Sequence, residues 1–228
     1  MKTFSQLNLI EPLLRAVSAQ DYQTTTPIQA ATIPPLLAGK DVLGCAQTGT
    51  GKTAAFALPI LQKIAQQSSL TKHANIRALV LAPTRELASQ IGTSFEEYGQ
   101  FLNIRHSVIF GGVNSNRQIQ ALERGIDVLI ATPGRLLDLQ QQGFVDLSCL
   151  DFFVLDEADR MLDMGFIRDI QRIISLLPTR RQNLLFSATM PGAITKLADS
   201  ILVEPFRFQI SPQKSVVQEI QQEVMFVQ

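Results

Sequence analysis

Apolar runs of strand length, some opened by a single polar residue, recur along the chain at 41–45, 78–82, 107–110, 127–131, 152–155 and 183–186, and 206–210 reads as a final strand. A run without polar alternation suits a strand buried on both faces, the condition of an inner strand in a parallel sheet. Between the runs, apolar residues fall at helical spacing. This spacing predicts helices over 9–17, with Pro12 tolerable only near the first turn, over 27–37, ending before Gly39, and over 51–67, with a polar turn at 66–69. Others are predicted over 114–123, capped by Asn114 and stopped at Gly125, over 136–141, over 167–177, ended by Pro178, and over 191–202. Strand and helix in alternation predict an α/β fold, a doubly wound and mainly parallel sheet with helices on both faces. In such sheets ligands gather beyond the carboxyl ends of the strands, so the residues closing each run are where chemistry is sought.

The first run opens into Ala46, Gln47, Thr48, Gly49, Thr50, Gly51, Lys52 and Thr53, then into the apolar start of a helix. Strand, glycine turn and helix in that order form a phosphate-binding loop. Gly49 and Gly51 let the backbone take positive φ and close on an anion, while the helix presents unpaired N–H groups and the positive end of its dipole. Lys52 would reach the β- and γ-phosphates, and the Thr53 hydroxyl would ligate Mg²⁺. Such loops usually open with glycine; here Ala46 holds that place. Downstream, the run 152–155 ends in Asp156, Glu157, Ala158 and Asp159. Two carboxylates at the end of a buried strand are costly unless they meet a cation. Alone, they could be an acidic helix N-terminus favoured by the dipole. Beside a phosphate loop, Asp156 would hold Mg²⁺ through its water shell and Glu157 would position or deprotonate an attacking water.

The other strand ends admit two readings each. Thr26, Pro27 and Gln29 form a capping box with proline at the first helical position, yet the Gln29 amide could instead pair with adenine, accepting from N6 and donating to N7. Pro83, Thr84 and Arg85 open a helix with an Arg85 and Glu86 surface pair, or bring Arg85 to a phosphate at the sheet's carboxyl edge. Gly111 and Gly112 make a turn, which as glycines alone could be merely flexible. Thr132 as cap and Pro133 at the first helical position explain most of the stretch that Gly134 and Arg135 complete; Arg135 is left over, and a phosphate would suit it. Ser187 and Thr189 satisfy a turn, or bond Asp159 and couple nucleotide state to the rest of the core.

Composition narrows the classes. A chain of 228 residues, 46% hydrophobic, can bury a full core in one large domain. With 20 basic and 20 acidic residues the net charge is +0, so nucleic acid would be met by a local patch. Cys45 and Cys149 suggest neither a disulfide framework nor a zinc site. Polar residues interrupt the first eight positions and no run reaches membrane-spanning length, so a cytoplasmic protein without a membrane partner is expected. Residues 211–215 read as a linker and 220–227 as a strand with nothing after it. The expected division is one domain over 1–210, then a linker and the start of a missing second domain over 211–228.

Taken in order, these motifs resemble the first RecA-like domain of DEAD-box RNA helicases, and the resemblance covers residues 4–228. The Q motif resembles 21–29 with Phe4 as its upstream aromatic; motif I is 46–53, Ia 83–88, the double glycine Gly111 and Gly112, Ib 132–135, II 156–159 and III 187–189. The leading residues are also similar to the bacterial RhlE-like branch. The resemblance implies a RecA-like P-loop NTPase fold and an ATP-dependent RNA helicase that binds ATP with Mg²⁺, yields ADP, and remodels or unwinds short RNA duplexes. It implies that Gln29 reads adenine, Tyr22 stacks on it and Phe4 supports the pocket. Thr48, Gly49, Thr50, Gly51, Lys52 and Thr53 would hold phosphates and metal, with Asp156 and Glu157 serving metal and water. Pro83, Thr84, Arg85, Gly111, Gly112, Thr132, Pro133, Gly134 and Arg135 would grip the backbone of one RNA strand without reading bases. Asp159, Ser187 and Thr189 would couple the two sites, and a monomer is expected.

Two residues depart from the pattern: Asp21 stands where the Q motif has glycine, and Thr25 where it has proline. The second domain's arginine fingers, worth roughly 10³ to 10⁵ in rate, are not among these residues, so this piece is expected to bind nucleotide and hydrolyse it very slowly. The rival expectations are a DNA-directed helicase or translocase of the same superfamily, and an RNA clamp that uses ATP only to close.

Overall fold

The computed structural model describes residues 2–47, 49–67 and 75–209. The expected linker at 211–215, the strand at 220–227, the end of the polar turn at 66–69, and Thr48 lie outside the described residues. A 3₁₀ turn, Phe4–Leu7, leads into α1 (Glu11–Ala19) and α2 (Pro27–Leu37). The chain then runs through β1 (Val42–Cys45), α3 (Lys52–Gln67), β2 (Ala78–Leu81), α4 (Arg85–Gly99), β3 (His106–Ile109) and α5 (Asn116–Glu123). It continues as β4 (Val128–Ala131), α6 (Pro133–Gln141), β5 (Phe152–Leu155), α7 (Ala158–Asp163) and α8 (Ile167–Leu176), and ends with β6 (Gln182–Ser187), α9 (Gly192–Ile201) and β7 (Phe206–Gln209).

The strands form one parallel sheet in the order β3-β4-β2-β5-β6-β1-β7. Inner strands send alternate residues into two separate apolar layers. Ala78 and Val80 of β2 join a layer with Phe56 of α3 and Phe95 of α4, whereas Leu79 and Leu81 join one with Met161, Ile173 and Leu197 of α7, α8 and α9. Burial on both faces is why the sequence shows apolar runs. Register then aligns the chemistry: Cys45 lies beside Ser187, and Leu81 lies between Ala131 and Leu155. The segments that follow these residues therefore emerge along one edge of the sheet.

Several element ends differ from the sequence expectation. Helix α1 begins at Glu11, not at residue 9, because Pro12 has no N–H to give and sits within the first two positions. Asn114 does not cap α5 directly; its Oδ1 accepts from the Asn116 N–H at 2.8 Å in a local turn, and the helix starts two residues later. The edge strand β3 is shifted one residue back from 107–110, since only Ile109 of the four is fully buried and the apolar pattern marks its ends weakly. The 3₁₀ turn was not legible at all. It is held by a capping box between Thr3 and Gln6 and by burial of Phe4 and Leu7.

Candidate functional site

Beyond β1 the backbone folds back through Gly49 and Gly51, at φ +81° and +91°. The Ala46 N–H donates to the Ser187 carbonyl at 3.0 Å, tying the start of the loop to β6. At Gly51 a Cβ would lie 2.5 Å from Gln29 Nε2 and 2.9 Å from Thr26 Oγ1, so only glycine lets the loop lie this close to the start of α2. Lys52, the first residue of α3, donates from Nζ to the Ala46 carbonyl at 3.0 Å and stands 3.8 Å from Asp156 Oδ1. Both side chains are buried. Burial pushes the Asp156 carboxyl up to about 6; Lys52 pulls the other way, and the neighbouring Glu157 adds to the rise. A buried acid that holds its proton this far up is poised to take a cation in place of it.

Glu157 has φ 53° and ψ 51°, in the left-handed region where a non-glycine residue carries roughly 1–2 kcal/mol of strain. The sharp turn makes it the N-cap of α7 and leaves it on the same cavity wall as Asp156. Its Oε2 pairs with Arg160 at 3.2 Å. Asp159, on the first turn of α7, is bound across to β6: its Oδ2 accepts from both the N–H and the hydroxyl of Thr189 at 2.8 Å. Ser187 Oγ accepts from the Asp159 N–H at 3.2 Å and donates to the Thr189 carbonyl at 2.7 Å. Burial alone would raise the Asp159 carboxyl, but the bonds from Thr189, Ser187 and the Arg160 amide outweigh it and the net shift is downward. The bonds of both readings for Ser187 and Thr189 are present: Ser187 closes the local turn, and both residues bond Asp159.

At the other end of the cavity, Gln29 forms the expected capping box and reaches the phosphate loop. Its Oε1 accepts from the Thr26 N–H at 2.9 Å, closing the capping box, while Nε2 donates to the Gly51 carbonyl at 3.2 Å. The amide that caps α2 thus touches the phosphate loop and lines the cavity. Tyr22 is 44% exposed and stacks on the buried Phe4, with ring centroids 6.4 Å apart and planes at 21°. Asp21 takes φ +56°, so the left-handed turn that glycine would favour is kept with a residue that tolerates it. Thr25 donates both its N–H and its hydroxyl to the Lys2 carbonyl, each at 3.0 Å. A proline there would have neither donor, so the second departure straps the N-terminal segment to this loop.

One cavity of about 320 Å³ collects Tyr22, Gln29, Gly49, Gly51, Lys52, Thr53, Asp156 and Glu157. Its remaining wall is α4, through Leu87, Gln90, Ser94 and Tyr98, which sequence reasoning missed. The signal was faint: polar residues on a helix read as a solvent face.

Further along the sheet edge, Thr84 Oγ1 accepts from the Leu87 N–H at 3.2 Å and caps α4. Arg85 is exposed, lies over the Phe110 ring at 5.0 Å, and sets its Nη1 3.0 Å from where a Cβ of Gly112 would be. Among the described residues no ion pair engages it, so the expected surface pair with Glu86 does not form. Arg135 behaves differently. Its guanidinium donates to Gln118 Oε1 at 3.2 Å and to the Val113 carbonyl at 3.1 Å, and lies 3.4 Å from Asp138. It braces the double-glycine turn from inside the protein. Thr132 stands at the N-cap of α6 without a side-chain cap bond, and Pro83 and Pro133 are buried. A second cavity of about 360 Å³ lies among Gly111, Thr132, Gly134, Arg135, Asp138 and Phe166, the last two not anticipated from sequence.

Comparison with known proteins matches residues 26–197 to a family model described as DEAD/DEAH box helicase. The chain is 48% identical over 221 residues to the ATP-dependent RNA helicase DeaD of Mycobacterium tuberculosis, covering 96% of this chain and 38% of that protein. It is 45% identical over 222 residues to the DEAD-box ATP-dependent RNA helicase CshA of Geobacillus kaustophilus, covering 97% and 46%. The CshA protein of Bacillus subtilis is 44% identical over 226 residues, covering 99% and 45%. The chain thus spans less than half the length of these relatives.

Proposed function

This chain belongs to the DEAD/DEAH box helicase family, and we propose that it is the ATP-binding half of an RNA-dependent ATPase that remodels or unwinds short RNA duplexes. The observation that carries the reading is one cavity in which a phosphate loop, its buried Lys52 and a buried Asp156 meet Glu157 at one end and Tyr22 with Gln29 at the other. Relatives named as ATP-dependent RNA helicases support the same substrate pair. Lys52 would exchange the Ala46 carbonyl for phosphate oxygens, with the loop's N–H groups around them. Tyr22 would stack on the base and Gln29 would read its edge, within a pocket that Phe4 supports. Thr50 and Thr48 would complete the loop around the phosphates.

The donor set fits Mg²⁺ carried on a nucleotide. Among the described residues no group of three or more His, Cys, Asp or Glu could hold a metal by itself, and Mg²⁺ is commonly held by one or two carboxylates together with substrate phosphates. Asp156 and Thr53 would hold it here, where it would neutralise charge on the phosphates. Glu157 would orient the attacking water. Asp159, Ser187 and Thr189 would carry the state of this site to the rest of the sheet edge.

RNA would lie along that edge, its phosphates meeting Arg85 and the backbone of Thr84, Gly111, Gly112, Thr132 and Gly134 without base readout. Arg135 would act by holding the double-glycine turn in place, and Pro83 and Pro133 by starting their helices. The domain is proposed to occupy 1–210, with 211–228 leading to a second RecA-like domain in cis that supplies the arginine fingers. The piece alone would then bind ATP and hydrolyse it to ADP very slowly, as a cytoplasmic monomer; among the described residues no helix is long and apolar enough to cross a membrane. The test is ATPase activity of the chain extended through its second domain. RNA should stimulate turnover, Glu157→Gln should keep ATP binding and abolish turnover, and Gln29→Ala should lose preference for ATP over GTP. Equal stimulation by single-stranded DNA would overturn the RNA assignment, and ATP-dependent RNA binding without duplex release would favour a clamp.

A further inference from the structure

Two arginines at the carboxyl edge of the sheet are held in opposite ways. Arg135, after β4, spends its charge inside the protein, on Asp138, Gln118 and the Val113 carbonyl. Arg85, after β2, has no carboxylate partner among the described residues. Strands β2, β4 and β3 are neighbours in that order, and Phe110 directly follows β3, so Arg85 spans the end of β4 to bring its guanidinium carbon 5.0 Å from the centre of the Phe110 ring. A ring attracts a cation through its quadrupole and, unlike a carboxylate, does not cancel the charge. The ring is itself held in place. Phe110 is half-buried and its carbonyl accepts from Gln118 Nε2 at 3.1 Å, while the buried Gln118 accepts from Arg135 at 3.2 Å. Arg135 thus braces the backbone that carries the ring on which Arg85 rests.

We propose that Phe110 is a positioning residue for RNA binding, its ring holding the still-charged Arg85 guanidinium beside the double-glycine turn, where a phosphate of the RNA strand would pass. The inference rests on the RNA reading above and adds to it the role of a residue outside the contact set. Apolar packing alone does not account for the arrangement. Leucine would cover much the same surface, but it has no quadrupole to attract a cation. The placement is also close on the other side: a Cβ at Gly112 would lie 3.0 Å from Arg85 Nη1, so the guanidinium is seated against the turn itself. An exposed arginine with no partner samples many rotamers, and ordering it on binding costs affinity. The ring orders it beforehand and leaves its N–H donors for phosphate oxygens.

The experiment uses the chain extended through its second domain, with Mg²⁺ and a non-hydrolysable ATP analogue, and measures binding of a labelled single-stranded oligouridylate by fluorescence anisotropy across a salt series. The parent is compared with Phe110→Leu, Phe110→Tyr, Arg85→Met and the double variant Phe110→Leu with Arg85→Met. Phe110→Leu should bind RNA about 2- to 5-fold more weakly, the range of one exposed cation–π contact, and Phe110→Tyr, which keeps a ring, should match the parent. Arg85→Met should weaken binding at least as much and reduce the slope of log affinity against log salt by about 0.7, the share of one phosphate on a single strand. The double variant should be no weaker than Arg85→Met, because a ring without its cation has nothing to hold. Affinity for the ATP analogue alone should be the same in the parent and both Phe110 variants. Unchanged RNA affinity in Phe110→Leu or in Arg85→Met, or additive losses in the double variant, would overturn the positioning role while leaving the RNA reading intact. A matching loss of analogue affinity in Phe110→Leu would also overturn it, as a general disturbance of the fold. A parent that binds the analogue but no RNA would overturn the RNA reading itself, and the inference with it.

Discussion

Replacing the buried carboxyl of Asp156 with the neutral amide of Asp156→Asn should stabilise the protein by an amount that depends on pH. The side chain is buried, and burial lifts its ionisation from 3.8 to about 6 despite Lys52 at 3.8 Å. Below pH 3.8 the folded and unfolded chains both carry the protonated acid, and the group is neutral in its effect on stability. Between 3.8 and 6 the unfolded chain ionises while the folded chain keeps its proton, so stability falls as pH rises. Above 6 both are ionised and the whole loss remains. About two pKa units correspond to about 3 kcal/mol. Asparagine mimics the protonated acid and keeps an oxygen to accept the Glu157 N–H, a bond of 3.0 Å in this structure. The variant should match the parent near pH 4 and exceed it by about 3 kcal/mol at pH 7.5, or roughly 6–12 °C in Tm for a domain of this size. Urea unfolding followed by circular dichroism, in pH steps from 4 to 8 without nucleotide or divalent cation, measures the difference. A difference that is flat with pH, or of the opposite sign, would show that the lysine and not burial governs the site. With a magnesium nucleotide present the order should reverse, because the amide offers the cation no charge.

Other expectations reach the frame around the cavity. Gly44→Ala would set a Cβ 2.6 Å from Phe186 Cδ1, a buried ring on the neighbouring strand; overpacking of this kind costs about 1–3 kcal/mol, and an unchanged Tm would show that the ring can step aside. Thr25→Pro deletes both donors to the Lys2 carbonyl, so amide hydrogens in Phe4–Leu7 should exchange about 5- to 30-fold faster while the sheet stays protected. Equal protection would mean that the Thr3 bridge to Thr24 and the burial of Phe4 hold the segment unaided. Asp159→Asn should lower stability at pH 7 and not in strong acid: a depressed carboxyl stabilises above 3.8 and loses that contribution as pH falls through its folded value. A deficit that is the same at both pH values would assign the loss to packing instead.

The sheet was legible because inner strands are buried on both faces, and a chain with that burden has only apolar side chains to offer. The cavity was legible at its phosphate end for a related reason: Gly51 tolerates no Cβ, Lys52 is buried as a charge, and Asp156 ends a strand that is otherwise oil. Each of those is a violation of local expectation, the kind that marks a candidate site. The α4 wall was not legible, since Gln90 and Ser94 on an amphipathic helix look like any solvent-facing residues until the fold brings them to Tyr22. Arg135 was legible only in part. A cation beside a helix entrance reads as a phosphate contact, and only the fold shows Gln118, Val113 and Asp138 already occupying it. Arg85, in a similar position one strand away, has no such internal partners and keeps its charge for the surface. Sequence spacing is the same in both cases; what separates them is the reach of the next loop.

The groups around the phosphate loop also share an energetic logic. Lys52 donates to a backbone carbonyl, Gln29 to another, Glu157 pairs with Arg160, and Asp156 accepts from a backbone amide. Among the described residues no buried side-chain nitrogen or oxygen lacks a partner. Nucleotide binding at this loop would therefore be an exchange of partners and not the filling of unmet bonds, which alone would make it weak. What tips the exchange is charge. A lysine bond to a neutral carbonyl becomes a bond to an anionic phosphate, and charge-assisted bonds are roughly twice as strong as neutral ones. Asp156 would then trade a proton, or its pairing with Lys52 at 3.8 Å, for a divalent cation. Both gains scale with the charge on the polyphosphate and its metal. The same exchange would run backward once cleavage divided that charge, since the internal partners of Lys52 and Glu157 lie within hydrogen-bond reach of each side chain.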